Sequence, residues 1–220
     1  MKVGRGLALL LALAVMASCD PHVKVKKDYY DGGKLKSELR YVDDELNGCS
    51  VWYRPNGKPQ LEVNYKNNKM DGLTRRWHEN GNLMEELWYK NGVKDSVYRV
   101  FSLNGTLIEE GYYVDGQPNG DYHRWFENGQ VFQEGQFVDG MMDGSWMVFY
   151  PEGCLAAKAD FVMGAGTQTS YDESGYICLV TNYLDNVKHG KEIYYNPDGR
   201  ITRIALYEYG EWVGDEPVAQ

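Results

Sequence analysis

Histidine, cysteine, proline and positive charge are all scarce in this sequence, and the first two and the last each remove a class of function. The four histidines, His22, His78, His123 and His189, never recur at a metal-ligand spacing, and no Cys-x-x-Cys pair occurs. Setting Cys19 aside leaves Cys49, Cys154 and Cys178, an odd number expected to act as small strand residues rather than as a disulfide framework or zinc site. With 23 Lys and Arg against 32 Asp and Glu the formal charge is −9, so nucleic acid and anionic lipid surfaces repel the chain. Ser50, Ser145 and Ser170 stand outside any nucleophile elbow, and the Gly-rich stretch Gly164-Ala165-Gly166 reads as a turn. Asp115, Asp139, Asp143 and Asp198 precede Gly as hairpin turns do, without gathering the several oxygens of a calcium loop. Glu85, Glu86, Glu109 and Glu110 come nearest to paired carboxylates. A strand carboxylate repeated in five successive units, however, covers a solvated face rather than performing acid/base work. The reading is of a protein that is not an enzyme, with no cofactor and no metal.

Long aliphatic runs are also few, except near the start. Lys2 and Arg5 precede an apolar run from Leu7 to Met16 that ends in Ala17-Ser18-Cys19, too short for a bilayer span of about 20 residues and arranged as a secretory signal. The segment Met16-Ala17-Ser18-Cys19 resembles a bacterial lipobox, which implies a signal peptide over 1–18, lipidation at Cys19 and a lipidated tether over 19–24. The expected location is the bacterial cell envelope, periplasmic or surface-exposed, with membrane contact through the N-terminal lipid alone. Removal of residues 1–18 leaves 21 cations against 32 anions, a charge of −11.

What the sequence does hold is 25 Gly and 30 aromatic residues, 18 of them Tyr, in strict order. Glycines fall at Gly33, Gly57, Gly81, Gly105, Gly129 and Gly153, each 24 residues after the last, then at Gly175 and Gly199 after one step of 22. A second set at Gly48, Gly72, Gly120, Gly144, Gly166, Gly190 and Gly214 keeps the spacing, with Ser96 in the missing place, and locates the short step in the connecting loop around Met163-Gly164. Two aromatic series share the frame. One runs through Tyr29, Tyr53, Trp77, Phe101, Trp125, Phe149, Tyr171 and Tyr195, the other through Tyr41, Tyr65, Tyr89, Tyr113, Phe137, Phe161, Tyr183 and Tyr207.

Short runs between Asn-Gly, Asp-Gly and Pro-Asn-Gly turns predict hairpins rather than helices. The expected fold is all-β: an elongated antiparallel single-sheet meander of eight 24-residue hairpin repeats and about 16 strands over 25–214, with a tail over 215–220. Strand spacing gives a ribbon of roughly 70–75 Å without a compact core, held by rings stacked from hairpin to hairpin. Alternation puts Leu35, Leu83, Leu107, Val131, Leu155, Ile177 and Ile201 on the face of the second aromatic series, and Glu38, Glu62, Glu86, Glu110 and Glu134 on the other. Gly111 and Gly135 read as packing glycines that make room on the aromatic face. If Tyr89 opposes Val97, then Trp88 opposes Tyr98 and Tyr112 opposes Tyr122. Trp88, Tyr98, Tyr112, Tyr122 and Trp146 would then form one aromatic patch on the charged side, the candidate partner-binding surface.

The repeat resembles the variant MORN (membrane occupation and recognition nexus) family, with Phe126-Glu127-Asn128-Gly129-Gln130-Val131-Phe132-Gln133-Glu134-Gly135-Gln136-Phe137-Val138-Asp139-Gly140 as its clearest copy. The resemblance spans about 25–214, and Lys158 and Val180 depart from it by replacing the strand Glu. It implies a scaffold that binds an envelope protein or peptide, and bacterial members are often described as antitoxin-like. An immunity-like protein against an envelope toxin and a glycan-binding surface lipoprotein are the alternatives, since Trp and Tyr rings also stack on sugars. The outermost strands leave room for an edge-strand homodimer.

Overall fold

The computed structural model describes residues 22–218, so the signal segment and Cys19 lie outside the described residues. Among the described residues there is no helix; nineteen β segments run from Val23 to Glu216. Glu45–Leu46 continues into Gly48–Tyr53, and Gln117–Pro118 into Gly120–Trp125, each pair lying along the same neighbouring strand. The described residues therefore make seventeen strand lines, one more than the sixteen aromatic positions; the addition is Glu211–Glu216, which follows Tyr207. Each line pairs antiparallel with the next in sequence, from Val23–Tyr29 against Leu35–Val42 to Ile201–Glu208 against Glu211–Glu216, making one open sheet.

Two turn chemistries alternate along it. In the first, Gly57 N–H donates to Arg54 O and Arg54 N–H to Lys58 O, both at 2.8 Å, with Gly57 at φ 85°. This is a type I turn closed by a left-handed residue, where Gly carries no Cβ penalty. The same bond pair recurs eight times from Tyr30–Lys34 to Asn196–Arg200. Each copy shifts the register at the first aromatic series, as at Trp52/Tyr53 and Arg76/Trp77. The second turn has two residues, both with positive φ, as in Asn67-Asn68 (49° and 62°) and Asp139-Gly140 (48° and 83°), which accounts for its Asn, Asp and Gly content.

After the second turn most strands carry a two-residue bulge. Gln136 pairs with Asp143 and Glu134 with Met147, so Gly144-Ser145-Trp146 faces Gly135 alone. The short repeat differs here and not in its loop. Met163-Gly164 is a two-residue turn like the others, while Phe161–Gly166, Asp160–Thr167 and Ala159–Gln168 pair without interruption. The two missing residues are the bulge, which corrects the expected loop shortening. Gly166 accordingly lies outside the positive-φ set that holds Gly48, Gly72, Ser96, Gly120, Gly144, Gly190 and Gly214.

Along the turn edge, successive repeats bond to each other directly. Gly92 N–H donates to Met70 O, Gly116 to Lys94 O and Gly140 to Pro118 O, at 2.7–2.8 Å. On the opposite edge the residue after several first-series aromatics reaches the next repeat: Tyr30 Oη donates to Tyr53 O, Arg54 Nη2 to Trp77 O and Tyr150 Oη to Tyr171 O, and His78 Nε2 meets Phe101 O at 2.9 Å.

The core is a line rather than a volume. One cross-strand file on the aromatic face runs Ser50, Val63, Thr74, Leu87, Tyr98, Gly111 and, further on, Trp146, Ala159, Gln168, Thr181, Glu192, Ala205. It contains the most buried side chains, among them Ser50, Thr181, Glu192 and Ala205 at 2% exposure or less. The other face carries a charge ladder, with Arg75 between Glu62 (3.5 Å) and Glu86 (2.9 Å), and Arg99 on Glu110 (2.6 Å). Such half-exposed pairs contribute about 0–1 kcal/mol each.

Direct stacking of the sixteen rings is less extensive than expected. Among the described residues, Phe161–Tyr183 (5.6 Å) is the one contact between successive members of a series. Elsewhere the residue opposite each ring, such as Met70, Lys94, Pro118 or Met142, intervenes; opposite Phe161 that residue is Gly166.

Candidate functional site

The five rings expected in one patch are divided between the two faces. Tyr89 pairs with Lys94 rather than Val97, because the turn is only Asn91-Gly92 and the bulge follows it. Tyr98 therefore opposes Leu87 instead of Trp88. Likewise His123 opposes Glu110, which puts Tyr122 beside Gly111 rather than Tyr112. A register slip of one residue moves a side chain through the sheet. Tyr98, Tyr122 and Trp146 lie on the aromatic face, and Trp88 and Tyr112 on the charged face.

The three rings brought together occupy the centre of the array because two glycines let them. A Cβ on Gly111 would stand 2.6 Å from Tyr98 Cε1, and one on Gly135 2.2 Å from Trp146 Cδ2, so both rings lie flat against bare backbone. Trp146 is buried, donates from Nε1 to Gln136 O at 3.1 Å and belongs to the cluster with Ala159 and Phe161. It anchors the site rather than presenting a free surface. Tyr122 leans on it at 5.7 Å, and Phe137 meets Tyr122 and Trp146 edge-on, with planes 80° and 77° apart.

These rings border a recess of about 250 Å³ with Pro118, Met142, Glu109, Gln133 and the edge of Tyr112. Glu109 Oε1 accepts the Tyr98 hydroxyl at 2.9 Å, and Arg124 Nε stands 3.5 Å from Oε2. Burial and the Glu109 carboxylate push the Tyr98 phenol far up, and the same two causes push Tyr122 up to about 12. Both phenols therefore stay protonated donors at any physiological pH. The recess can hold an apolar stem and a polar or cationic tip.

On the charged face Trp88 and Tyr112 are 42% and 40% exposed. Leu73 pairs with Trp88 and Val97 with Tyr112, forming a smaller apolar surface beside the charge ladder. No group of His, Cys, Asp or Glu among the described residues is placed to hold a metal ion. Cys49, Cys154 and Cys178 are free thiols.

Pro118 was missed at the sequence level, and Glu109 was read there only as one of four strand carboxylates covering a solvated face. The signal lay in the frame: the place opposite each second-series aromatic reads Leu46, Met70, Lys94, Pro118, Met142, Gly166, Lys188, Trp212, and Pro118 is the one ring-closed residue there.

Among the described residues, a ribbon of hairpins without an enclosed interior, with rings gathered at mid-length, defines an open β-repeat protein. The family model described as MORN repeat variant matches residues 24–43, 46–67, 70–91 and 118–139, so these four segments carry that repeat. Repeats of this family generally serve protein or membrane interaction rather than catalysis. A comparison with curated proteins gives no match.

Proposed function

We propose that the protein is a non-catalytic scaffold, tethered to a bacterial cell-envelope membrane through lipid on Cys19, that holds a protein partner against the aromatic face of its middle repeats. The recess between Tyr98, Tyr122 and Phe137 carries this reading. Elsewhere along the frame Met70, Lys94, Met142 and Lys188 fill the corresponding place, whereas Pro118 leaves it open. Rings with one polar end and a satisfied rim are what protein-binding surfaces concentrate. The lipobox-like Met16-Ala17-Ser18-Cys19 supports the tether.

The test is crosslinking in intact envelopes followed by purification. Pro118→Met, which copies Met142 and closes the recess, should abolish the crosslinked partner while thermal stability holds. Trp88→Ser, on the charged face and away from the recess, should leave the partner in place. The reverse pattern moves the partner to the charged face. Cys19→Ala should release the chain from membranes; retention there would remove the lipid tether.

A further inference from the structure

We propose that the recess receives the ammonium group of a lysine presented by the partner protein, an assignment that rests on reading the recess as the partner-facing site. The chain twice shows how its own frame treats such a group. Lys94 pairs with Tyr89 and places Nζ 4.8 Å over the ring of Tyr113 in the next strand pair. Lys188, at the equivalent position opposite Tyr183, places Nζ 5.0 Å over Tyr207 and bonds Glu192 Oε1 at 2.5 Å. Glu192 Oε2 accepts the Tyr194 hydroxyl at 2.7 Å, so carboxylate, phenol and ring face together surround one ammonium.

The middle of the array repeats these parts without the lysine. Pro118 stands at the place of Lys94 and Lys188, opposite Tyr113, and its ring cannot extend over Phe137. Around the space it leaves are the rings of Tyr98, Tyr122 and Phe137 and the carboxylate of Glu109, which takes the Tyr98 hydroxyl as Glu192 takes that of Tyr194. Ring faces and a carboxylate both attract a cation, and Pro118 and Met142 offer apolar surface to its methylene stem. Arg124 Nε stands 3.5 Å from Glu109 Oε2, while Oε1, the oxygen that takes the Tyr98 hydroxyl, is the one an incoming ammonium would share, as Glu192 Oε1 is shared between Thr181 and Lys188. A chain with a formal charge of −9 also draws basic partners over distance.

The experiment is a nuclear magnetic resonance titration of the full chain with Nα-acetyl-lysine methylamide, using Nα-acetyl-norleucine methylamide as the uncharged counterpart. Saturable shifts at the Trp146 indole and the Tyr98 and Tyr122 rings are expected, with Kd on the order of 1–10 mM for a single side chain. Norleucine should bind at least about fivefold more weakly, since it lacks the cation–π and carboxylate interactions. Glu109→Gln keeps an acceptor for Tyr98 and should weaken lysine binding by a similar factor. Pro118→Lys should seat its own ammonium over Phe137, raise Tm and exclude the derivative.

Equal binding of lysine and norleucine, or unchanged binding to folded Pro118→Lys, overturns the assignment. Choline binding more tightly than the lysine derivative overturns it in favour of a lipid headgroup. A chain whose partner is lost in Pro118→Met but which ignores the lysine derivative refutes the ammonium site and leaves the scaffold. If the derivative binds in the recess while Pro118→Met keeps its partner, the scaffold reading falls and the ammonium site stands.

Discussion

Gly135 shows what a single missing side chain does in a sheet with only one layer. The indole of Trp146 lies where a Cβ would be, so Gly135→Ala forces the largest buried ring off its floor. Overpacking of this kind costs about 1–3 kcal/mol, and Tm should fall accordingly in thermal unfolding. Gly32→Ala, with nothing within 4 Å, should stay within about 0.5 kcal/mol of the parent; equal effects would deny the packing role. Glu192 makes the converse point with a charge. Its carboxyl is 1% exposed; burial alone would raise its pKa, but Lys188, Tyr194 and Tyr207 together hold it below the usual carboxylate range. A depressed folded pKa stabilises above the unfolded value of about 4.3 and is lost as pH falls through the folded value. Glu192→Gln should therefore melt lower than the parent at pH 7, and the gap should close in acid. A gap independent of pH would mean that packing alone is at stake.

At the level of the element, the decisive device is the bulge that follows most of the two-residue turns. It lengthens one strand by two residues beside turns that bond to one another, as Gly92 does to Met70. Where it is deleted, at 165–171, the spacing is recovered by Asn186. Its side chain accepts the Met142 N–H and donates to Gly140 O, both at 2.8 Å, across 44 and 46 residues. Asn186→Ala should cost about 1–2 kcal/mol and speed amide exchange at Met142 above all. Exchange rising equally across the chain would contradict a local staple.

The bulge also marks where sequence reading stopped short. Turn residues, strand periodicity and both aromatic series are local, and they identified the hairpins, the frame and the roles of Gly111 and Gly135. Cross-strand register is not local: Asp95-Ser96-Val97 gives no sign of how many residues stand out of the ladder. An error of one there sent Tyr98 and Tyr122 to the face of Trp88 and Tyr112, and hid the recess bordered by Glu109 and Pro118.

Taken whole, the molecule is nearly one-dimensional, each line pairing only with its neighbours in the ladder, with a buried hydrophobic cluster at Trp146, Ala159 and Phe161. Stability in such an array is a sum of local terms, so opening should begin at the ends. Hydrogen exchange should be fastest in Val23–Tyr29, where every residue is exposed, and in Glu211–Glu216, and slowest around Trp146–Phe161. Uniform protection would indicate a single cooperative unit instead. Seventeen lines also have a consequence for self-assembly. Because the count among the described residues is odd, the first and last of these strands point the same way, and a second copy set beside the first by translation would meet it in parallel, against the sense of every internal pair. With one strand fewer or more, translation alone would continue the antiparallel ladder; with an odd number of described lines, a copy can extend it antiparallel only through a two-fold that joins like ends, first strand to first or last to last.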